Sequence, residues 1–306
     1  MTKQKINFTN EDGIKIAVYK WKPEEDIKGA VQIAHGMAEH AMRYEYFAKA
    51  LTKEGYVVYA NDHRGHGQSA ASIEELGYIS DNDGFSDMVK DMKALTNIIR
   101  EENPGIPLIL FSHSMGSFLA QRYIQIYGKD IDGVILSGTN GKQAPITNLG
   151  LLISKVIMKS KGRKASGKLM DKMAFGSYNN KIDNNKTKFD WLTRDADQVQ
   201  KYIDDPYCGT LFPVSFFHDL INGTRAIHKK ENLKNVPKDL PIYIFAGDAD
   251  PVGNYGKGII SLRDLYKSLG IKNVTSKLYE GGRHEMLNEI NRDEVIEDVI
   301  SWLDTI

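Results

Sequence analysis

Short runs of β-branched and aromatic residues alternate with helix-length stretches through the first half of this chain, and that alternation is its tightest constraint. The runs Ile14–Tyr19, Ala30–Ala34, Tyr56–Asn61, Leu108–Phe111 and Gly133–Ser137 read as strands. Tyr44–Glu54, Phe85–Glu102 and Ser114–Tyr127 between them read as helices. In the second of these, Met88, Met92, Leu95 and Ile99 fall on one face, and Asp83 stands where an N-cap belongs. Apolar strands separated by helices imply βαβ units, hence a mostly parallel sheet covered by helices on its faces.

The alternation stops near Asn140 and resumes near Lys238, with strands at Pro241–Ala246 and Asn273–Tyr279 and closing helices at Gly258–Leu269 and Glu294–Leu303. The intervening stretch is rich in aromatics, Leu and Ile, so it reads as an inserted subdomain; long structureless loops are uncommon in compact domains. Residues 1–140 and 239–306 are thus expected to form one core, and residues 141–238 an inserted cap. The N-terminus lacks the apolar segment of a secretory signal, and no run is long enough to span a bilayer, since Leu149–Met158 is broken by Gly150, Ser154 and Lys155. A soluble, cytoplasmic protein is expected. With 40 Lys+Arg against 40 Asp+Glu, no electrostatic surplus recommends a nucleic-acid partner. The single cysteine, Cys208, cannot form an intrachain disulfide; it falls inside the insertion, away in sequence from the residues singled out below.

The segment Leu108-Ile-Leu-Phe-Ser112-His-Ser114-Met-Gly116 carries the clearest chemistry. A strand runs into a serine with small residues two positions to either side, and a helix follows at once. Such a turn lifts a serine hydroxyl clear of a sheet edge. Ser112 stands where the usual pattern has glycine, and the extended strand should bury it, so Ser114 is the nucleophile candidate. A serine needs an adjacent base, and the base needs an acid to fix its tautomer. Asp248 and Asp250 both follow the Pro241–Ala246 strand, at the edge where ligand sites of α/β sheets form. His284 follows the last strand through Gly281-Gly282 and is the only histidine after Asp250. His35, His40, His63, His66 and His113 crowd the earlier strand ends, but their spacing matches no zinc pattern, so they are read as loop-orienting groups and no metal is expected.

With these residues in view, the chain resembles the α/β-hydrolase superfamily, in the monoacylglycerol lipase and lysophospholipase branch described as serine aminopeptidase S33-like. The blocks Ala34-His-Gly-Met-Ala-Glu-His40, Asn61-Asp-His-Arg-Gly-His-Gly-Gln-Ser69 and Ser112-His-Ser-Met-Gly116 carry the resemblance, together with Gly247-x-x-Asp-x-Val252 and the late histidine. The resemblance implies a triad of Ser114, Asp250 and His284, with Asp250 preferred over Asp248, and an oxyanion hole built from the backbone N–H groups of Met37 and Met115. Glu39 and Arg43, one helical turn apart, read either as an ordered polar group beside the pocket or as an exposed ion pair. The expected activity is ester hydrolysis through an acyl-enzyme, with no cofactor, on a small lipid ester, a monoacylglycerol before a lysophospholipid. A small-ester esterase, an S33-type aminopeptidase and a non-catalytic binding module are the competing readings. The cap stripes Leu151–Ile153, Val156–Met158 and Leu211–Phe217 suit cap core or an acyl-chain wall, and apolar cap surface is the expected route to transient contact with a membrane. The rate is expected to fall as His284 protonates, near the ordinary value of about 6.5.

Overall fold

The computed structural model describes residues 1–141 and 147–306, so residues 142–146, at the start of the expected insertion, lie outside the described residues. Among the described residues eight strands form one sheet: β1 (Thr2–Thr9), β2 (Lys15–Lys22), β3 (Gly29–Ala34), β4 (Tyr56–Asn61), β5 (Leu108–His113), β6 (Gly133–Ser137), β7 (Ile242–Gly247) and β8 (Val274–Tyr279). Their order is β1-β2-β4-β3-β5-β6-β7-β8. The pairs β1–β2 and β2–β4 are antiparallel and the remaining pairs parallel. This is an α/β-hydrolase fold, as expected from the sequence.

The helices are α1 (Glu45–Lys53), α2 (Gly84–Glu102), α3 (Met115–Tyr127), α4 (Thr147–Lys161), α5 (Lys168–Phe175), α6 (Ala196–Asp204), α7 (Val214–Ile227), α8 (Lys230–Leu233), α9 (Lys257–Ser268) and α10 (Arg292–Leu303). Successive side chains of a strand point to opposite faces, and the core divides accordingly. Ala30, Leu108 and Leu110 pack with Met88, Met92 and Leu95 of α2, Leu119 of α3 and Leu262 of α9. Val31, Ile33, Ile109 and Phe111 pack on the other face with Phe47 and Leu51 of α1 and Val295 and Val299 of α10. Because both faces are covered, β3 through β7 are buried along their whole length, which is why they read as unbroken apolar runs. At the start of α2, Asp83 accepts from the Ser86 N–H at 3.2 Å, as its position suggested.

Helices α4 to α8 fall between β6 and β7, and α7 packs on α2, α3 and α4. Phe212, Val214, Phe216 and Phe217 are buried in the cluster that includes the α2 face, so this stripe is core apart from exposed Leu211. Leu149, Leu152 and Val156 of α4 are exposed instead. Among the described residues no helix is long and apolar enough to cross a membrane.

The strand order reverses at β3, whose neighbours are β4 on one side and β5 on the other. Ala34 pairs with Ser112, so the loops leaving β3 and β5 emerge side by side at the carboxyl edge of the sheet. A crevice at such a switch point is where α/β sheets hold ligands.

Candidate active site

Ser114 sits between β5 and α3 with φ 53 and ψ −119, a left-handed conformation that a non-glycine residue rarely adopts. The surroundings hold it there. Its N–H donates to the Ser137 carbonyl at 2.9 Å, and its own carbonyl accepts from the Ser117 N–H at 2.9 Å and the Ser117 hydroxyl at 2.6 Å. Two residues on, a Cβ at Gly116 would lie 2.2 Å from the Ala34 carbonyl oxygen, so α3 approaches β3 at a distance only glycine permits. Two residues back, Ser112 is still within β5, fully buried, with its hydroxyl donating to the Ile135 carbonyl at 2.7 Å. That position is ordinary extended strand with room for a small side chain, so a serine serves where the usual pattern has glycine.

The Ser114 hydroxyl oxygen lies 2.8 Å from Nε2 of His284, and His284 Nδ1 lies 3.0 Å from Oδ2 of Asp250. A carboxylate can only accept, so Nδ1 carries the proton and Nε2 of the neutral ring is left to accept from the serine. The other oxygen of Asp250 accepts from the Val252 N–H at 2.8 Å. Asp250 is fully buried and His284 2% exposed. Burial alone would lower the pKa of His284, but the Asp250 charge and hydrogen bond outweigh it, and Glu285 and Glu39 add to the effect. The net direction is upward from 6.5, which moves the expected protonation step above the value read from the sequence. Asp248 has a different place: its carboxylate accepts from the Gly281 N–H at 2.7 Å, tying the turn after β7 to the loop that carries His284.

Met37 follows Gly36 in the loop leaving β3, and a Cβ at Gly36 would stand 3.2 Å from that of Ser114, so this loop passes directly beside the serine. Met115 is buried at the first position of α3. Glu39 and Arg43 do pair, at 2.6 Å, but not as an exposed pair: Glu39 is 3% exposed. Glu39 Oε1 accepts from the Gly36 N–H at 2.5 Å and the Tyr44 hydroxyl at 2.9 Å. Arg43 also binds both oxygens of Glu285, at 2.7 and 2.6 Å. Burial would raise the Glu285 carboxyl, yet Arg43 holds it down to about 2. One guanidinium thus joins the loop after β3 to the residue beside His284.

The sequence reading missed Glu285, Trp191 and Tyr202. Glu285 could have been suspected from its place next to His284. The other two are brought in only by long-range packing. The Trp191 ring lies 5.0 Å from the His284 ring, its carbonyl accepts from the His284 N–H, and the Leu192 carbonyl accepts from the Glu285 N–H. Tyr202 donates its hydroxyl to the Ala38 carbonyl at 2.9 Å. Of the clustered histidines, His35 behaves as a loop-orienting group, with Nε2 accepting from the His63 N–H at 2.9 Å. His113 packs 4.7 Å from His284.

Comparison with known proteins follows the same lines. The family model described as serine aminopeptidase, S33, matches residues 25–291. A monoacylglycerol lipase of Mycolicibacterium smegmatis is 29% identical over 99% of this chain and 97% of its own length. A human monoglyceride lipase is 27% identical over 97% of this chain and 89% of its own. Among solved structures, a thermostable carboxyl esterase from Bacillus coagulans, in complex with glycerol, superposes with a TM-score of 0.92 at 31% identity, covering 100% of this chain and 99% of that one.

Proposed function

The chain belongs to the serine aminopeptidase S33 family of α/β-hydrolases, and from that premise we propose that it is a serine hydrolase that cleaves lipid esters through an acyl-enzyme, with monoacylglycerol as its substrate class. The observation that carries this reading is the unbroken hydrogen-bonded chain from the Ser114 hydroxyl through His284 to buried Asp250. The monoacylglycerol and monoglyceride lipases similar to it over nearly its whole length support the substrate class.

In this mechanism His284 Nε2 takes the Ser114 proton as the serine oxygen attacks the ester carbonyl, and Asp250 stabilises the imidazolium that forms. The oxyanion is received by the N–H groups of Met37 and Met115, one on the loop beside the serine and one at the start of α3, where the helix dipole also favours negative charge. His284 then gives its proton to the departing alcohol. Water, deprotonated by the same imidazole, releases the fatty acid and restores the serine. Residues 1–140 and 239–306 supply this machinery; residues 141–238 act as the cap that encloses the acyl chain and meets the lipid surface. The esterase, lysophospholipase and aminopeptidase readings predict the same acyl-enzyme on other leaving groups.

The test has two arms. A fluorophosphonate probe labels the wild type and not Ser114→Ala; equal labelling of both sinks the serine mechanism. The wild type then turns over monoolein faster than lysophosphatidylcholine, short 4-nitrophenyl esters or an aminoacyl-naphthylamide. Peak activity on the amide replaces the lipase reading with the peptidase one.

A further inference from the structure

The turn between α6 and α7 meets the loop leaving β3, and three side chains of metal-ligand type converge there. His40, Asp205 and Cys208 each offer one ligand atom, and these atoms all lie within 4.8 Å of one another. The frame around them is fixed by hydrogen bonds that do not involve the ligand atoms themselves. The Cys208 N–H donates to the Asp205 carbonyl at 3.0 Å, closing a four-residue turn that presents both side chains together. Asp205 Oδ1 accepts from the Tyr207 N–H at 2.9 Å, which leaves Oδ2 for His40 Nε2, 2.8 Å away. The Gly209 N–H and the Tyr202 hydroxyl both donate to the Ala38 carbonyl at 2.9 Å, holding the turn against the loop that bears His40. Ala38 itself has φ 53, so these two donors fix a carbonyl whose direction depends on an uncommon backbone conformation.

We propose that His40, Asp205 and Cys208 form a binding site for one divalent ion of the zinc type, which pins the α6–α7 turn to the loop after β3. One imidazole, one carboxylate and one thiolate suit zinc or cobalt; a thiolate is a poor ligand for magnesium or calcium, which prefer all-oxygen sets. Three protein ligands fill three corners of a tetrahedron and leave the fourth for water. The charges match as well, because thiolate and carboxylate neutralise a divalent ion. The nearby Arg43 does not oppose it, being already paired with Glu39 and Glu285. Binding releases the proton of the Cys208 thiol, and His40 and Asp205 exchange their mutual hydrogen bond for the ion. Because the thiol must lose its proton to bind the ion, affinity rises with pH. Buried Cys208, which the sequence sets apart from the residues singled out for catalysis, thus acquires a role that does not depend on ester hydrolysis.

The full-length protein tests this with cobalt and zinc salts. Cobalt(II) should give a thiolate-to-cobalt charge-transfer band that saturates at one equivalent. Because the chain has one cysteine, the band reports Cys208 directly. Zinc should bind with the same stoichiometry, release about one proton per ion and raise the thermal midpoint, since an ion that binds only the folded chain stabilises it. Cys208→Ser should lose the band, and both Cys208→Ser and Asp205→Asn should weaken zinc at least about tenfold. No charge-transfer band in the wild type overturns the proposal without recourse to any variant. Zinc binding undiminished in both variants also overturns it, because the ion then sits elsewhere, with His284 the obvious rival. A midpoint shift equal in magnesium overturns the zinc-type assignment.

Discussion

A buried imidazole ordinarily sheds its proton easily, because burial penalises the charged ring. His113, against which His284 packs, follows that rule: burial first, and then the His284 charge, lower its pKa to about 4. His284 is equally shut from water yet shifts the other way. The difference between the two rings is a carboxylate 3.0 Å from Nδ1. Since His284 acts as a base only when neutral, the acid limb of kcat/KM should lie above 6.5. Asp250→Asn removes the charge and leaves the burial, so the limb should move down, below 6.5. The rate at the plateau should fall on the order of 10⁴-fold, because an amide favours the wrong tautomer. A kcat/KM profile of both proteins checks this; a limb that stays put on substitution would falsify the coupling of His284 to Asp250.

At the scale of elements, what matters is how closely β3, β5 and α3 meet. Gly116→Ala sets a methyl 2.2 Å from the backbone oxygen of Ala34, which cannot swing aside as a side chain would. The helix must move off the sheet, taking Ser114 with it. The expected loss is about 3 kcal/mol of stability together with most of the activity. Ser112→Ala removes one buried hydrogen bond and no shape, so about 1 kcal/mol and little activity should go. Urea denaturation and ester turnover measured on both variants separate the two; equal effects would mean the close approach does not position the serine. The same geometry explains what could be read in advance. Ser114 and Asp250 each stand just beyond a buried strand that announces itself as an apolar run, and His284 follows β8, which is only partly buried and is marked instead by the Gly281-Gly282 turn after it. β1 carries neither mark: Thr-Lys-Gln-Lys-Ile-Asn-Phe-Thr lies at the sheet edge, mostly exposed, held by pairing with β2 rather than by burial. That pairing, Thr2 opposite Lys22, also carries β2 past Tyr19, where its apolar pattern suggested an end. Trp191 and Tyr202 were beyond reach for another reason. Nothing local marks them, because their roles arise only when the stretch between β6 and β7 folds back on the loops that hold His284 and Met37.

The molecule as a whole carries a set of neutral histidines in its interior, and this sets how it should respond to acid. Burial, the largest cause in each case, lowers His35 and His66 to about 3 and His113 to about 4, and takes His63 well below 6.5. In the unfolded chain these rings titrate near 6.5, so below that value the unfolded state binds protons that the folded state refuses. Stability is therefore full above about pH 6.5 and is lost as pH falls from there towards the folded values near 3 to 4. Each ring contributes a slope of up to about 1.4 kcal/mol per pH unit. His284 works in the opposite sense. Its raised pKa gives stability that is complete below 6.5 and lost as pH rises through the folded value, so it cannot compensate for further acidification. Paired Glu285, held to about 2, adds its own loss only below the ordinary carboxylate value of 4.5. Between pH 6.5 and 5 the buried histidines therefore dominate. Two or three such slopes acting together over the two units from 6.5 to 4.5 remove about 6–8 kcal/mol, a large part of a total margin of about 5–15 kcal/mol, before most carboxylates titrate. Urea denaturation at pH 7, 6 and 5 should show an unfolding free energy that changes little between 7 and 6.5 and then drops steeply, with protons taken up on unfolding. A free energy that stays level down to pH 5 would mean these rings accept protons in place, and the interior around His35, His63 and His66 would have to be wetter than its burial implies.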